Sequence, residues 1–439
     1  MKLAVIADDL TGANDTGVQF AKKGLSTTVL FSDTHLQSVH LSEDVIVLNS
    51  DSRALDFQKA YDIVFNLSIE LNKLGVTKVF KKIDSTMRGN VGQEIDAVMD
   101  VFQFKTSFVV PAFPKSKRTT VDGKHYVHGV LLAESEIAND PSCPVKESHL
   151  PTLLQEQSKR DVELISISEV RKGKHHVFEK MMAMTAESPS QIIVIDATTD
   201  EELKVIVEAA EMLEENFLWV GSAGVASHLS STGNHEEVVL NKQTDERPPV
   251  LVVAGSVNTI THQQIRDLRK GNTVEEIVIS PEAFFYEEER KREIDRIVQS
   301  GQALLEKSDL VITTDRGQEA MNRVKELKRE LGLSNFEVGH TIAESMGIIA
   351  GQLIETKDIC GAVLTGGDIA GAACKALKGE GIRVIGEVEA GIPYGKLFGG
   401  LYDGIPVVTK AGAFGTEQAL SKALQTVTEV HGQAISSNG

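Results

Sequence analysis

The sequence predicts an α/β protein of two domains with mainly parallel sheets. Short apolar runs such as Val45 to Leu48, Gln191 to Ile195 and Val250 to Ala254 alternate with longer segments of helical period, the pattern of buried parallel strands joined by crossover helices. Several of these runs stop in clusters of polar residues or glycines, which is where open α/β sheets meet their ligands. The third observation is a polar, charged stretch, Thr232 to Pro249, that closes in Pro248 and Pro249. It reads as a linker. It divides a chain of 439 residues, long for one core, into domains of residues 1–231 and 250–439 with the linker at 232–249.

Lys2 to Ala7 is nearly all apolar and opens the first sheet. It ends in the polar run Asp8 to Asp15, and a helix carrying Val18, Phe20 and Ala21 follows until Gly24. Thr27 to Phe31 is the second strand. Val45 to Leu48 is the third, with Asn49, Ser50, Asp51, Ser52 and Arg53 at its end and a helix from about Asp56 to Leu74 behind it. Thr77 to Ile83 is the fourth and delivers KKIDSTMRGN, Lys81 to Asn90, ahead of a helix over Val91 to Phe102. Ser107 to Val110 is the fifth. Pro111 to Gly129 has no clear period and reads as a long ordered loop near the site. Strands at Leu164 to Ile167, Gln191 to Ile195 and Leu218 to Val220 finish the first domain. In the second, Val250 to Ala254 leads into Gly255, Ser256, Val257 and Asn258, and helix signals resume at Thr261. After two amphipathic helices come strands at Leu310 to Thr313, Ile359 to Leu364, Ile382 to Val388 and Val407 to Lys410.

Three strand ends in one sheet deliver Asp8 and Asp9, then Arg53, then Lys82, Asp84 and Ser85. A lone aspartate at a strand end is more often a helix cap than a ligand, and a polar loop is more often solvated than functional. Convergence of three weighs the other way. Lys82 or Arg88 can hold a carboxylate, arginine through two parallel hydrogen bonds, while Asp84 and Ser85 can exchange hydrogen bonds with hydroxyls. The set suits a small polyhydroxy anion. In the second domain Gly366 with Gly367, and Gly412 with Gly415, fall between strand and helix, where backbone N–H groups can close on phosphate oxygens. Neither G-x-x-x-x-G-K-[ST] nor G-x-G-x-x-G occurs, which disfavours P-loop and dinucleotide readings. Asp368 can coordinate Mg²⁺ through water, act as a base, or cap its helix. Ser222 stands in G-S-A-G rather than G-x-S-x-G and is not read as a nucleophile. His125 and His128 lack a carboxylate or cysteine at ligand spacing, so no metal is read there.

A formal charge of −18 argues against nucleic acid. It also sets a problem for an anionic ligand, which Lys81, Lys82, Arg88, Lys115, Lys117 and Arg118 answer locally. The three cysteines form no C-x-x-C pair, so neither a disulfide framework nor a zinc ribbon is indicated. Leu3 to Ala7 is too short for a signal-peptide core and no run approaches membrane-spanning length. The expectation is a cytoplasmic protein with no membrane partner.

Five stretches together resemble the four-carbon acid sugar kinases over nearly the whole chain: IADDLTGANDTG from Ile6, KKIDSTMRGN from Lys81, AGS at Ala254, TGGD at Thr365 and KAGAFG from Lys410. The resemblance implies an ATP-dependent kinase with Mg²⁺, an amino-terminal acid domain, a carboxyl-terminal nucleotide domain and an active site in the interdomain cleft. It implies an acid site of Asp9, Arg53, Lys82, Ile83, Asp84 and Ser85, with Arg88 as helper, and an ATP site of Ser256, Gly366, Gly367, Asp368, Ile369 and Gly412. Ile369 departs from the threonine of many members, so only backbone contact to phosphate is expected there. The KKIDST and ANDTG versions resemble those of D-threonate or D-erythronate kinases, where 3-oxo-tetronate kinases tend to have other residues; the expected reaction is D-threonate phosphorylated at its terminal hydroxyl to 4-phospho-D-threonate, with D-erythronate or a 3-oxo-tetronate as alternatives. The product would pass to a 4-phosphate dehydrogenase, and a homo-oligomer is left open. Asp9, Asp84 and Asp368 are unranked candidates for the base. A nicotinamide-dependent hydroxy-acid dehydrogenase lacks its fingerprint, and a non-catalytic sugar-acid-binding protein would not need phosphate loops.

Overall fold

The structure, a computed structural model, describes residues 3–31, 36, 43–140, 143–187, 191–229, 247–255, 258–271, 274–315, 317–412 and 414–436. Two compact units are present, Met1–Asn234 and His235–Gly439. Most of the expected linker lies outside the described residues.

In the first unit the strands are β1 (Leu3–Ala7), β2 (Thr27–Leu30), β3 (Val45–Asn49), β4 (Lys78–Lys82), β5 (Thr106–Val110), β6 (Arg118–Val121), β7 (Lys124–Val127), β8 (Val130–Leu131), β9 (Asp161–Ile165), β10 (Gln191–Ile195) and β11 (Leu218–Gly221). Eight of them form a parallel sheet in the order β2-β3-β1-β4-β11-β5-β10-β9. Val5, Ile6, Val47, Phe80, Phe108 and Ile193 are wholly buried in it, each contributing about 1.5–3 kcal/mol of apolar burial. The helix Leu10–Ala21 starts where Asp9 accepts a hydrogen bond from the Gly12 N–H at 2.8 Å, so the aspartate is a helix cap as well as a strand-end residue.

The expected loop from Pro111 to Gly129 instead contains an antiparallel hairpin, β6-β7, to which β8 adds a third strand. Asp122 and Gly123 both take positive φ, 49° and 74°, as a two-residue type I′ hairpin turn requires. The strand expected at Leu164 to Ile167 is shifted to Asp161–Ile165, because Ile167 opens a short helix, Ile167–Val170.

The second unit contains β12 (Val250–Ala254), β13 (Val274–Ile279), β14 (Asp309–Thr314), β15 (Gly361–Thr365), β16 (Gly381–Glu389), β17 (Ile392–Phe398) and β18 (Pro406–Lys410). Their order is β13-β14-β12-β15-β18-β17-β16, parallel from β13 to β18 and antiparallel at β17 and β16. The sheet is therefore mixed, with β13 and β17 beyond the strands expected from sequence. Val252, Val311, Val363 and Val408 pack in its core with Leu420.

Candidate active site

Parallel register brings the ends of several strands level. Ala7 stands opposite Asn49 and Lys82, and Lys82 opposite Gly221, so the side chains just beyond them gather at one edge of the sheet. Successive residues of a strand face opposite sides, and this separates the two lysines. Lys81 turns into the core: its Nζ lies 2.7 Å from Glu94 Oε2, with the two side chains 0% and 1% exposed, and donates to the carbonyls of Ile6 and Lys82 at 3.2 and 2.9 Å. Ser52 Oγ donates to the other Glu94 oxygen at 2.6 Å, and Ser50 Oγ donates to the Ala7 carbonyl at 2.8 Å. Burial raises the Glu94 carboxyl above its ordinary value, against the pull of Lys81. This fully enclosed pair ties β1, β3 and β4 to the helix Val91–Phe102.

Above that floor the arginines are already engaged. Arg53 Nε and Nη2 donate to the two oxygens of Asp8 at 2.8 and 3.0 Å, and Nη1 donates to Asp9 Oδ2 at 2.7 Å. Arg88 donates from Nε and Nη2 to Asp84 at 2.7 and 3.3 Å and from Nη1 to Asp140 at 3.1 Å, while Thr86 also donates to Asp84. These partners separate the carboxylates. Burial pushes Asp84 up, but Arg53 and Arg88 outweigh it and hold the group well below the ordinary range; Asp8 is lowered in the same way, chiefly by Arg53. For Asp9 dehydration in the pocket prevails, aided by repulsion from Asp8 and Asp84, and its pKa is raised.

Lys82 differs from its neighbours. Its Nζ donates to the Ile83 carbonyl at 2.9 Å and, among the described residues, meets no carboxylate. It lies against the amino end of the helix Leu10–Ala21, where a Cβ on Gly12 would come 2.7 Å from this ammonium and 2.6 Å from Asp9 Oδ1. A free ammonium beside a helix amino terminus favours an anion on two counts. Ile83 itself is buried in the core, and its N–H donates to the Gly221 carbonyl at 3.0 Å. Ser85 is held through its carbonyl oxygen, 2.8 Å from His125 Nε2. A carbonyl only accepts, so Nε2 carries the proton and Thr120 Oγ1, 3.0 Å from Nδ1, donates to the ring. Burial lowers the His125 pKa to about 4, so the imidazole is neutral and structural.

In the second unit, Ala254 stands opposite Thr313 and Thr365, and Thr365 opposite Lys410. Gly366, at φ 111°, turns the chain from β15 into the helix Gly367–Ala376, and its N–H donates to the Lys410 carbonyl at 2.7 Å. The Gly412 carbonyl accepts from Thr261 Oγ1 at 2.8 Å and from Lys410 Nζ at 3.2 Å. Burial lowers the Lys410 pKa to about 8. A cavity of about 500 Å³ opens beside the turn at Gly366, with Gly366, Asp368 and Ile369 on one side, Val324, Val338 and Ile342 among its apolar lining, and Thr314, Asp315 and Asn335 as polar points. A mostly apolar slot next to a glycine turn and a helix amino terminus can take a planar ring with phosphates attached. Ser256 lies outside the described residues. No cluster of three or more His, Cys, Asp or Glu among the described residues is placed to hold a metal ion by itself.

Asp9, Lys82 and Asp84 stand at neighbouring strand ends as the sequence motifs predict, whereas Glu94, the carboxylate pairing of Arg53 and Arg88, and the anchoring of the loop by Lys410 carry no motif of their own. The opposite facing of Lys81 and Lys82 was available from strand parity alone.

Comparison with known proteins agrees with this division. Residues 3–229 match a family described as a sugar-binding N-terminal domain, and residues 251–420 one described as a nucleotide-binding C-terminal domain. A D-threonate kinase of Salmonella typhimurium is 36% identical over 434 residues, covering 98% of this chain and 99% of that protein. A D-erythronate kinase of Heliobacterium modesticaldum is 32% identical over 95% of each chain. A crystal structure of a Haemophilus influenzae protein has the same fold, with a TM-score of 0.75 at 24% identity over 97% of this chain and 100% of that one.

Proposed function

Because this chain belongs to the four-carbon acid sugar kinase family and is an ATP-dependent phosphotransferase, we propose that it phosphorylates the terminal hydroxyl of D-threonate to give 4-phospho-D-threonate. The observation that carries the reading is Lys82, a buried ammonium at level strand ends that meets no carboxylate among the described residues and sits at a helix amino terminus. A small acid anion supplies the missing partner. Asp84, Ser85 and Asp9 stand along the same edge for the hydroxyls, and Arg53 and Arg88 act through the carboxylates they hold in place.

Asp9 is the favoured base. Its raised pKa makes it a better proton acceptor than Asp84, whose carboxylate is stabilised as the anion by two arginines. Each Asp9 oxygen has one hydrogen bond, to Gly12 N–H or to Arg53, which leaves lone pairs for a hydroxyl. ATP is assigned to the cavity at Gly366, Asp368 and Ile369, with backbone N–H groups of Gly367 and of the loop at Gly412 toward the phosphates. Asp368 and Asp315 border that cavity; these two carboxylates would hold Mg²⁺ there, which would supply neutralisation of charge on the phosphates. Transfer then needs the acid domain, residues 1–231, and the nucleotide domain, residues 250–439, to bring hydroxyl and γ-phosphate into line.

The test is ADP formation with ATP and a panel of D-threonate, D-erythronate, their enantiomers and a 3-oxo acid. D-threonate should give the highest kcat/KM. Faster turnover of D-erythronate would reassign the acid within the family, and no turnover of any four-carbon acid would overturn the proposal.

A further inference from the structure

The hairpin of β6 and β7 carries a second cation that meets no carboxylate among the described residues. In β6, Arg118 and Thr120 are two apart and share a face. Thr120 bonds the ring of His125 across the ladder, and that ring bonds the Ser85 carbonyl, so this face of the hairpin looks onto the loop from Asp84 to Arg88. Arg118 is half-buried. Its Nη1 donates to the Ser116 carbonyl, its Nε is buried without a hydrogen-bond partner, and no carboxylate among the described residues pairs with it. Burial lowers its pKa, with the charges of Asp84, Arg88 and Glu136 next in influence; this agrees with a place beside Asp84. A guanidinium with an idle buried donor is costly unless something completes its bonding.

Around the strand ends the cations divide into two groups. Arg53, Lys81 and Arg88 are each paired with one or two carboxylates, while Lys82 and Arg118 are paired with none among the described residues. We propose that Arg118 is a substrate-binding residue which grips the carboxylate of the acid together with Lys82, its planar fork fixing the end of the molecule remote from the reacting hydroxyl. This deepens the preceding proposal and rests on its acid site. The grip discriminates acid from alcohol: a four-carbon polyol of the same configuration, lacking the carboxylate, gains nothing from Arg118.

The experiment compares the parent, Arg118→Gln and Arg118→Lys with D-threonate and with the neutral tetritol threitol, at saturating ATP. In Arg118→Gln the KM for the acid should rise about ten- to a hundredfold, with kcat and the KM for ATP nearly unchanged and the rate with threitol, measured at high concentration, the same as that of the parent. Arg118→Lys should recover part of the loss, because charge survives without the fork. Should Arg118→Gln fold poorly by circular dichroism, Arg118→Lys alone decides, since the lost fork still weakens the acid and not the polyol. An acid KM equal to that of the parent overturns the inference, as does equal loss for acid and polyol, or a fall in kcat with the acid KM unchanged. Failure of the parent to use any four-carbon acid is a different result and strikes the preceding proposal instead.

Discussion

Lys81 and Lys82 are adjacent in sequence, yet their removal should have opposite consequences. Lys81→Met strands the carboxylate of Glu94 in a site with 1% exposure. Breaking a buried ion pair by deleting one partner costs about 3–5 kcal/mol. Each kcal/mol moves the midpoint of a domain of this size by about 2–4 °C, so the first unit, Met1–Asn234, should melt on the order of 10 °C lower. Glu94 limits the damage by taking a proton, for which its raised pKa prepares it, and Lys81→Met combined with Glu94→Gln should regain several degrees. Lys82→Met strands no carboxylate. It removes one bond to the Ile83 carbonyl, worth about 0.5–1.5 kcal/mol, and its main effect should fall on the acid, with KM raised about ten- to a hundredfold at unchanged ATP affinity. Differential scanning calorimetry and steady-state kinetics on the same preparations separate the two. A Lys81→Met protein melting within about 2 °C of the parent, or two lysine variants with the same acid KM, would falsify the division into floor and ligand cation.

Asp9→Asn should depress kcat with little change in acid KM and abolish an acidic limb in the pH–rate profile lying above the ordinary 3.8, whereas Asp84→Asn should raise acid KM more than it lowers kcat. The folded pKa of Asp84 is depressed, so its stabilising contribution is fully present above 3.8 and declines as pH falls toward the folded value; urea titrations should find Asp84→Asn destabilised at pH 7 and its deficit against the parent narrowing only once pH falls below 3.8. Gly12→Ala places a carbon 2.7 Å from Lys82 Nζ and 2.6 Å from Asp9 Oδ1, and should raise acid KM at least tenfold with ATP kinetics intact. Gly366→Val, at φ 111°, should raise the KM for ATP by a similar factor and leave that for the acid alone; equal effects on both substrates would remove the phosphates from this turn.

The helix Val91–Phe102 and the strands Gln191–Ile195 and Val250–Ala254 were readable from sequence to the residue, because each is an apolar run or period bounded by polar stops. β13 and β17 were not. β13 is rich in Val and Ile, but Glu275 and Glu276 interrupt the apolar run and its burial does not alternate, while β17 contains Pro393 and Gly395, which argue against a strand that its neighbours in the sheet impose. The hairpin of β6 and β7 could have been found, since Asp-Gly at 122–123 is the turn such a hairpin needs. For the candidate site, residue types at strand ends pointed to an anion, but not to which cation is spent on a neighbour. That depends on Asp140 reaching Arg88 across 52 residues and on Glu94 reaching Lys81 from the next helix.

Among the described residues, the cations Arg53, Lys81, Lys82, Arg88 and Arg118 stand close to the carboxylates Asp8, Asp9, Asp84, Glu94 and Asp140 and largely offset them. Such a set projects almost no field of its own, so an approaching anion senses the surrounding chain, whose net charge is −18. Its approach is opposed until it is within a few ångströms of Lys82. Raising ionic strength shortens the screening length from about 30 Å at 0.01 M to about 8 Å at physiological salt, which weakens that opposition far more than it weakens contacts made inside a dry pocket. Capture of the acid should therefore be quickened by moderate salt, the reverse of an enzyme that draws its substrate in by long-range attraction.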